Sequence, residues 1–221
     1  MKRIFFFAVL FILSSAAQAQ LNYGLYLRGS VATQTHSDPS TPEDGTTQWD
    51  NLSTFGAGAF LQKDFTRRLG VKSRLLWQKK GFSESADFGI VGSPIFFENA
   101  TFQNTFDCLS ADLLGHVYLL KRSKIDLFFQ GGGELSYLLK YKLESDITPN
   151  NLFYPMNSYG SGFNKWNASW IVGLGCTLNQ IVSLELEVNR DFTPTLKKEN
   201  LVVKNWLWSL GMNVSIPRIF R

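Results

Sequence analysis

The chain has 221 residues, a formal charge of +4, and 44% hydrophobic against 18% charged residues. Its basic residues are scattered rather than clustered, which argues against a nucleic-acid partner. No segment after residue 20 carries the uninterrupted apolar run that a spanning helix needs, so any membrane crossing must be made by strands.

The first element is MKRIFFFAVLFILSSAAQAQ. Lys2 and Arg3 precede a short apolar run, Ile4 to Leu13, and Ala17-Gln18-Ala19 has the small-x-small form of a cleavage site. This predicts a secretory signal peptide over residues 1–19 and a single domain over 20–221. No cysteine follows the run, so lipid attachment is not expected there.

Eight alternating segments follow, each with the period of a half-buried strand. The first is Leu21 to Ala32, with Leu21, Tyr23, Leu25, Leu27 and Val31 opposed by Asn22, Arg28 and Ser30. The second runs Thr54 to Gln62 and the third Leu69 to Lys80, where Leu75 and Trp77 oppose Lys72, Arg74, Gln78 and Lys80. The fourth, Phe106 to Leu119, sets Leu109, Ala111, Leu113 and Val117 against Ser110, Asp112 and His116. The fifth, Ile125 to Lys142, sets Leu135, Tyr137, Leu139 and Tyr141 against Gln130, Glu134, Ser136, Lys140 and Lys142. The sixth is Trp166 to Leu178. The seventh, VSLELEVNRDF at 182–192, alternates strictly, with Glu185 and Glu187 between leucines and valines. The eighth is Asn205 to Ile216. Phe60, Leu76, Leu114, Phe128, Leu138, Ile171 and Leu207 break the pattern by falling on the polar parity.

Short and long connections alternate. KDFTRR, KRSK and NQI are hairpin-sized, whereas Thr33–Ser53, Ser83–Gln103, Leu143–Lys165 and Thr193–Lys204 are long and polar. That order predicts an all-β fold: an eight-stranded antiparallel up-and-down transmembrane β-barrel of outer-membrane type. The apolar parity is expected to meet lipid. Trp77, Tyr137, Tyr141, Trp166, Trp170, Phe192, Trp206 and Trp208 all fall towards the long-loop ends of their strands, as an aromatic girdle at a lipid–water interface would. Arg28, Lys72, Arg74, Lys80, Asp112, His116, Glu134, Glu185 and Glu187 are expected to form a structural charge network in the lumen, with glycines supplying room. A Lys or Arg at mid-depth on the lipid face would cost about 2–4 kcal/mol, and the charged members of the apolar parity, Asp107 and Arg190, sit near strand ends.

The signal peptide, the strands, LGVKSRLLWQKKGF, DLFFQGGGELSYLLK and the closing NWLWSLGMNVSI resemble the PorT-like outer-membrane β-barrel proteins of the Bacteroidota over nearly the whole mature chain. The resemblance implies an outer-membrane barrel. Some members of that group are associated with protein secretion, so it also implies an accessory secretion role as a second reading.

No catalytic motif emerges. Ser110, Asp112 and His116 lie along one strand and cannot converge as a triad without partners from elsewhere. His36, Asp38, Glu43 and Asp44 lack metal-ligand spacing, and the glycines at 131–133 open no helix, so neither a metal nor another cofactor is expected. Cys108 falls on the lumen parity near the long loops and Cys176 on the lipid parity near the short turns, so both are expected as free thiols. A filled eight-stranded lumen predicts no pore. The long loops carry Trp49, Phe88, Ile90, Ile95, Phe96, Phe97, Phe153, Tyr154, Met156 and Tyr159, which either bind a protein or glycan partner, or pack on one another and cap the barrel, or extend strands beyond the membrane. The leading expectation is a monomeric, non-enzymatic barrel in outer-membrane lipid, with periplasmic termini and extracellular loops. An outer-membrane lipid-modifying enzyme, and a soluble exported ligand-binding barrel with its faces inverted, are also compatible with the pattern.

Overall fold

The computed structural model describes residues 21–37, 48–89, 96–122, 124–145, 163–198 and 201–216. The expected signal peptide therefore lies outside the described residues. Eight long strands carry the fold: β1 (Leu21–Ser37), β3 (Leu52–Asp64), β4 (Leu69–Gly89), β5 (Phe96–Lys121), β6 (Ile125–Ser145), β7 (Trp166–Leu178), β8 (Val182–Asp191) and β10 (Leu201–Ser215). Two short strands, β2 (Gln48–Asp50) and β9 (Leu196–Lys198), add to β4 and β10 on the long-loop side. Each long strand pairs antiparallel with its neighbour. β1 also pairs with β10, from Gly24↔Ser215 to Ser37↔Val202, so the sheet closes into a barrel with no free edge in that zone.

The alternation sorts the side chains as the period-two pattern requires. Along β8, Leu184 and Leu186 face outward while Glu185 and Glu187 are buried in the lumen. Leu113 and Leu210, each more than 60% exposed, face outward in the same way. The apolar residues that broke the pattern have a place inside: Phe60, Leu76, Leu114, Phe128, Ile171 and Leu207 are all buried. Tyr26, Phe60 and Leu76 form one apolar cluster within the bore. Glycines opposite these rings leave them space. A Cβ on Gly175 would lie 2.1 Å from the Phe128 ring, and one on Gly211 would lie 2.5 Å from the Tyr26 hydroxyl.

The short turns are tight. Ile181 N–H donates to the Leu178 carbonyl at 3.0 Å, and the two residues between, Asn179 and Gln180, have φ of 48° and 59°. A two-residue turn with positive φ at both positions is the type I′ geometry that matches strand twist. Outward apolar positions on β6 run from Ile125 to Tyr137. At roughly 3.3 Å per residue and a tilt of about 40°, this stretch spans about 30 Å of depth, the thickness of a hydrocarbon core.

Three expectations need correction. Ser83–Gln103 is not one loop: β4 and β5 stay paired from Ser83↔Gln103 up to Gly89↔Phe96, and β2 joins at Gln48↔Ser85. Likewise the other long connections are partly strand: Thr33–Ser37 continues β1, Leu143–Ser145 continues β6, Leu196–Lys198 is β9 and Leu201–Lys204 opens β10. The third correction is a β-bulge. Cys108 pairs with Leu138 but Asp107 pairs with Lys140, so Leu139 is the extra residue. Beyond it the parity of β6 flips. Lys140 and Lys142, expected in the lumen, face outward, and Tyr141, expected on the lipid face, turns inward against Phe106.

Candidate functional site: the lumen network and the rims

The middle of the bore is filled by ionised side chains from five strands. Register brings Arg74 of β4, Asp112 of β5 and Glu134 of β6 into one row. Arg28 reaches across from β1, where Gly56 and Gly211 flank it. Arg74 Nε donates to Asp112 at 2.8 Å, and its Nη1 donates to Glu187 at 2.6 Å and Glu185 at 3.1 Å. Arg28 donates to Glu187 at 2.8 Å and lies 3.5 Å from both Asp112 and Glu134. Lys72 pairs with Glu185, and Lys80 pairs with Glu134 at 2.6 Å. These groups are all buried.

Neutral donors complete the coordination of the carboxylates. Gln130 donates to Glu187 at 2.6 Å, Asn213 to Glu185 at 2.6 Å, Asn189 to Glu134 at 2.9 Å, and the Tyr26 hydroxyl to Glu187 at 3.2 Å. Gln78 bridges the two halves, accepting from Arg28 at 2.9 Å and donating to Glu134 at 3.0 Å. Buried ions are costly unless paired and hydrogen-bonded, and this cluster meets both conditions. Sequence parity had placed Gln78 and Gln130 inside without assigning them to the network. Tyr26 and Asp191 went unassigned, although Tyr26 shares its parity with Arg28 and Asp191 shares its parity with Glu185 and Glu187.

Eight of the nine residues expected to form the network do come together, and His116 does not. It is buried, but neither ring nitrogen has a hydrogen-bond partner among the described residues. It packs at 5.3 Å edge-on to Phe128 and at 6.0 Å from Tyr118, in an aromatic layer below the charges. Asp112 is engaged by the two arginines, and Ser110 bonds Gln78 at 2.7 Å and Ser136 at 3.0 Å. The triad atoms therefore do not engage one another.

Above the network, Asp191 ties the mouth together. One of its carboxylate oxygens accepts from Asn167, Thr195 and both the backbone and side-chain nitrogens of Asn205. Phe106 sits under Phe163 at 4.9 Å and beside Tyr141 at 5.5 Å, and Tyr141 donates to Asn104 at 2.7 Å. A cavity of about 20 Å³, lined by Lys80, Phe106, Cys108, Asn167 and Asn205, lies between these rings and the charges. It is the size of a single water.

On the outer face, Trp77, Leu109, Tyr137 and Trp166 lie in one registered row. The next outward row towards the long loops is Lys79, Asp107 and Lys140. On the far side Arg190 lies in register between Trp170 and Trp206, with its guanidinium 4.9 Å over the Trp206 ring. Phe192 and Trp208 are both exposed. Apolar surface thus gives way to aromatic and then to charged surface within one or two rows. The model of the outer membrane protein beta-barrel domain family matches residues 16–197. The chain belongs to that family.

Membership places this barrel in the bacterial outer membrane. Among solved structures, it is similar to Ail, the attachment invasion locus protein of Yersinia pestis, at 11% identity and a TM-score of 0.43, covering 89% of this chain and 99% of that one. It is also similar to OprG of Pseudomonas aeruginosa, at 16% identity and 0.42, covering 88% and 96%. A third is the outer membrane enzyme PagL, at 14% identity and 0.38, covering 86% and 99%. No curated protein matches the chain.

Cys108 is buried in the lumen and Cys176 is half-buried on the outer face of β7; both are free thiols. Of the aromatic and aliphatic loop residues expected at the long-loop rim, Ile90, Ile95, Phe153, Tyr154, Met156 and Tyr159 lie outside the described residues, as do Asp38, Glu43 and Asp44. Trp49 lies in β2, Phe88 in β4, and Phe96 and Phe97 in β5, so these four belong to a paired sheet that continues past the aromatic row.

Proposed function

We propose that this outer-membrane barrel is a monomeric, non-enzymatic protein with an occluded lumen, periplasmic termini and a long-loop end that offers a surface to a protein or glycan outside the cell. The observation that carries the reading is the lumen network. Arg28 and Arg74 span the bore and engage carboxylates of β5, β6 and β8 at once, an arrangement that supports a lumen without a continuous aqueous path at their level. The network serves structure: it ties facing walls together where a pore would need water. The aromatic and charged rows act as the interface with lipid headgroups. A recognition role for the long-loop end is supported by the β2–β4–β5–β6 sheet, which rises well past the Lys79–Asp107–Lys140 row. The accessory secretion role that the PorT-like resemblance implies would use the same surface.

Purified protein in planar bilayers tests the occluded lumen. The expected record is a flat baseline; regular porin-like steps would overturn the reading.

A further inference from the structure

The short-turn rim carries a feature that the occluded lumen does not use. The β3–β4 turn, KDFTRR, and the β5–β6 turn, KRSK, concentrate basic residues, whereas the β7–β8 turn, Asn179–Gln180, is uncharged. The two basic turns form one surface. Lys121 Nζ bonds Asp64 at 2.7 Å, and Tyr118 N–H donates to the Arg68 carbonyl at 2.8 Å. With Asp64 held by Lys121 and Asp126 turned into the bore to accept from the Arg122 N–H, local carboxylates are already engaged. The side chains of Arg67, Arg68, Arg122 and Lys124 are exposed and have no ion-pair partner among the described residues. Apolar side chains lie directly beside them: Phe65, Leu69 and Ile125 are exposed on the outer surface.

We propose that these two turns form a binding platform for the phosphodiester headgroups of anionic phospholipid in the leaflet at the short-turn rim. Charge complementarity selects the occupant. Guanidinium forks match phosphate oxygens in pairs, and lysine adds a point charge. The neighbouring Leu69 and Ile125 meet the acyl chains of the same lipid, and the Phe65 ring, beneath Lys63 at 5.4 Å, sits at the headgroup boundary. The platform covers one sector of the rim, so bound anionic lipid is concentrated around β3 to β6. The inference rests on the chain spanning a bilayer and not on a closed lumen or a loop partner. A barrel that inserts normally but fails the test below refutes this inference alone.

The test is backbone amide NMR of the full barrel in nanodiscs of phosphatidylcholine with increasing phosphatidylglycerol. Saturable shifts are expected at residues 63–68 and 121–125, with none at Asn179 and Gln180. The variant carrying Arg67→Gln, Arg68→Gln, Arg122→Gln and Lys124→Gln should bind at least roughly tenfold more weakly. A Lys140→Gln/Lys142→Gln variant at the opposite rim should leave the turn shifts unchanged. Equal shifts at all three turns, no shifts, or the same shifts from inorganic phosphate would each overturn the proposal. The wild-type shift map decides even if the fourfold variant does not fold.

Discussion

Replacing Arg74 by alanine should be among the most damaging single changes to this barrel. Its guanidinium reaches Asp112 at 2.8 Å, Glu187 at 2.6 Å and Glu185 at 3.1 Å, and it is almost wholly buried. In wild type, Arg28, Lys72, Arg74 and Lys80 face Asp112, Glu134, Glu185, Glu187 and Asp191. Without Arg74, three cations face five carboxylates whose side chains are all buried. Breaking a buried pair by removing one partner typically costs about 3–5 kcal/mol, because the remaining charge is left uncompensated. That corresponds to a factor of about 150 to 4,000 in the folding equilibrium. The assay is urea-dependent unfolding in phospholipid vesicles, read by the gel shift between folded and unfolded barrel. Arg74→Lys keeps the charge but loses the fork and should fall between the two. Arg74→Ala combined with Glu187→Gln should recover part of the loss, since one orphaned charge is removed. A cost for Arg74→Ala below about 1 kcal/mol would refute the reasoning, because only a hydrated bore could absorb the change so cheaply.

The two faces should respond oppositely to added bulk. Gly175→Ala drives a methyl into the Phe128 ring and should destabilise by about 1–3 kcal/mol, whereas Gly131→Ala, whose nearest neighbours are 3.7 Å or more away, should be close to neutral in the same unfolding assay. Leu186→Arg, at mid-strand on the outer face, should cost about 2–4 kcal/mol in vesicle unfolding. Gln180→Gly should stabilise by about 0.5–1 kcal/mol by relieving a positive φ of 59°, visible as a higher urea midpoint. In the folded barrel Cys108 should resist aqueous maleimide, and Cys176 should react only with a bilayer-soluble thiol reagent, as mass spectrometry of labelled protein would show.

The sequence was most informative where the wall meets lipid on one side and a packed bore on the other. There the alternation is enforced at every residue, and the expected bounds of Trp166–Leu178 and the start at Val182 coincide with β7 and β8. Beyond the aromatic row that constraint vanishes. In GFSESADFG both parities carry polar and small residues, so the upper part of β4 read as loop although it is paired with β5 on both sides of an irregularity at Asp87. The bulge was hidden for a related reason. Leu138 and Leu139 are alike, and nothing in their chemistry says which one leaves the ladder, so Tyr141 was assigned to the wrong face. Parity identified which charges enter the bore, but not how they pair. The Arg28–Glu187 contact joins residues 159 apart in sequence, and only barrel closure brings them together. His116 was placed on the correct face and the wrong layer. Phe128, which looked like an exception on the polar parity, forms with Tyr118 the aromatic zone in which it sits.

The most direct test of the central claim is a spin-label scan along β8 from residue 184 to 188 in a lipid bilayer. Even positions should be accessible to oxygen and shielded from a water-soluble nickel complex. Odd positions should be shielded from both. High nickel accessibility at residues 185 and 187 would mean an open, watered bore, and high nickel accessibility at 184 and 186 would mean that the apolar face does not meet lipid. Either result would contradict the account.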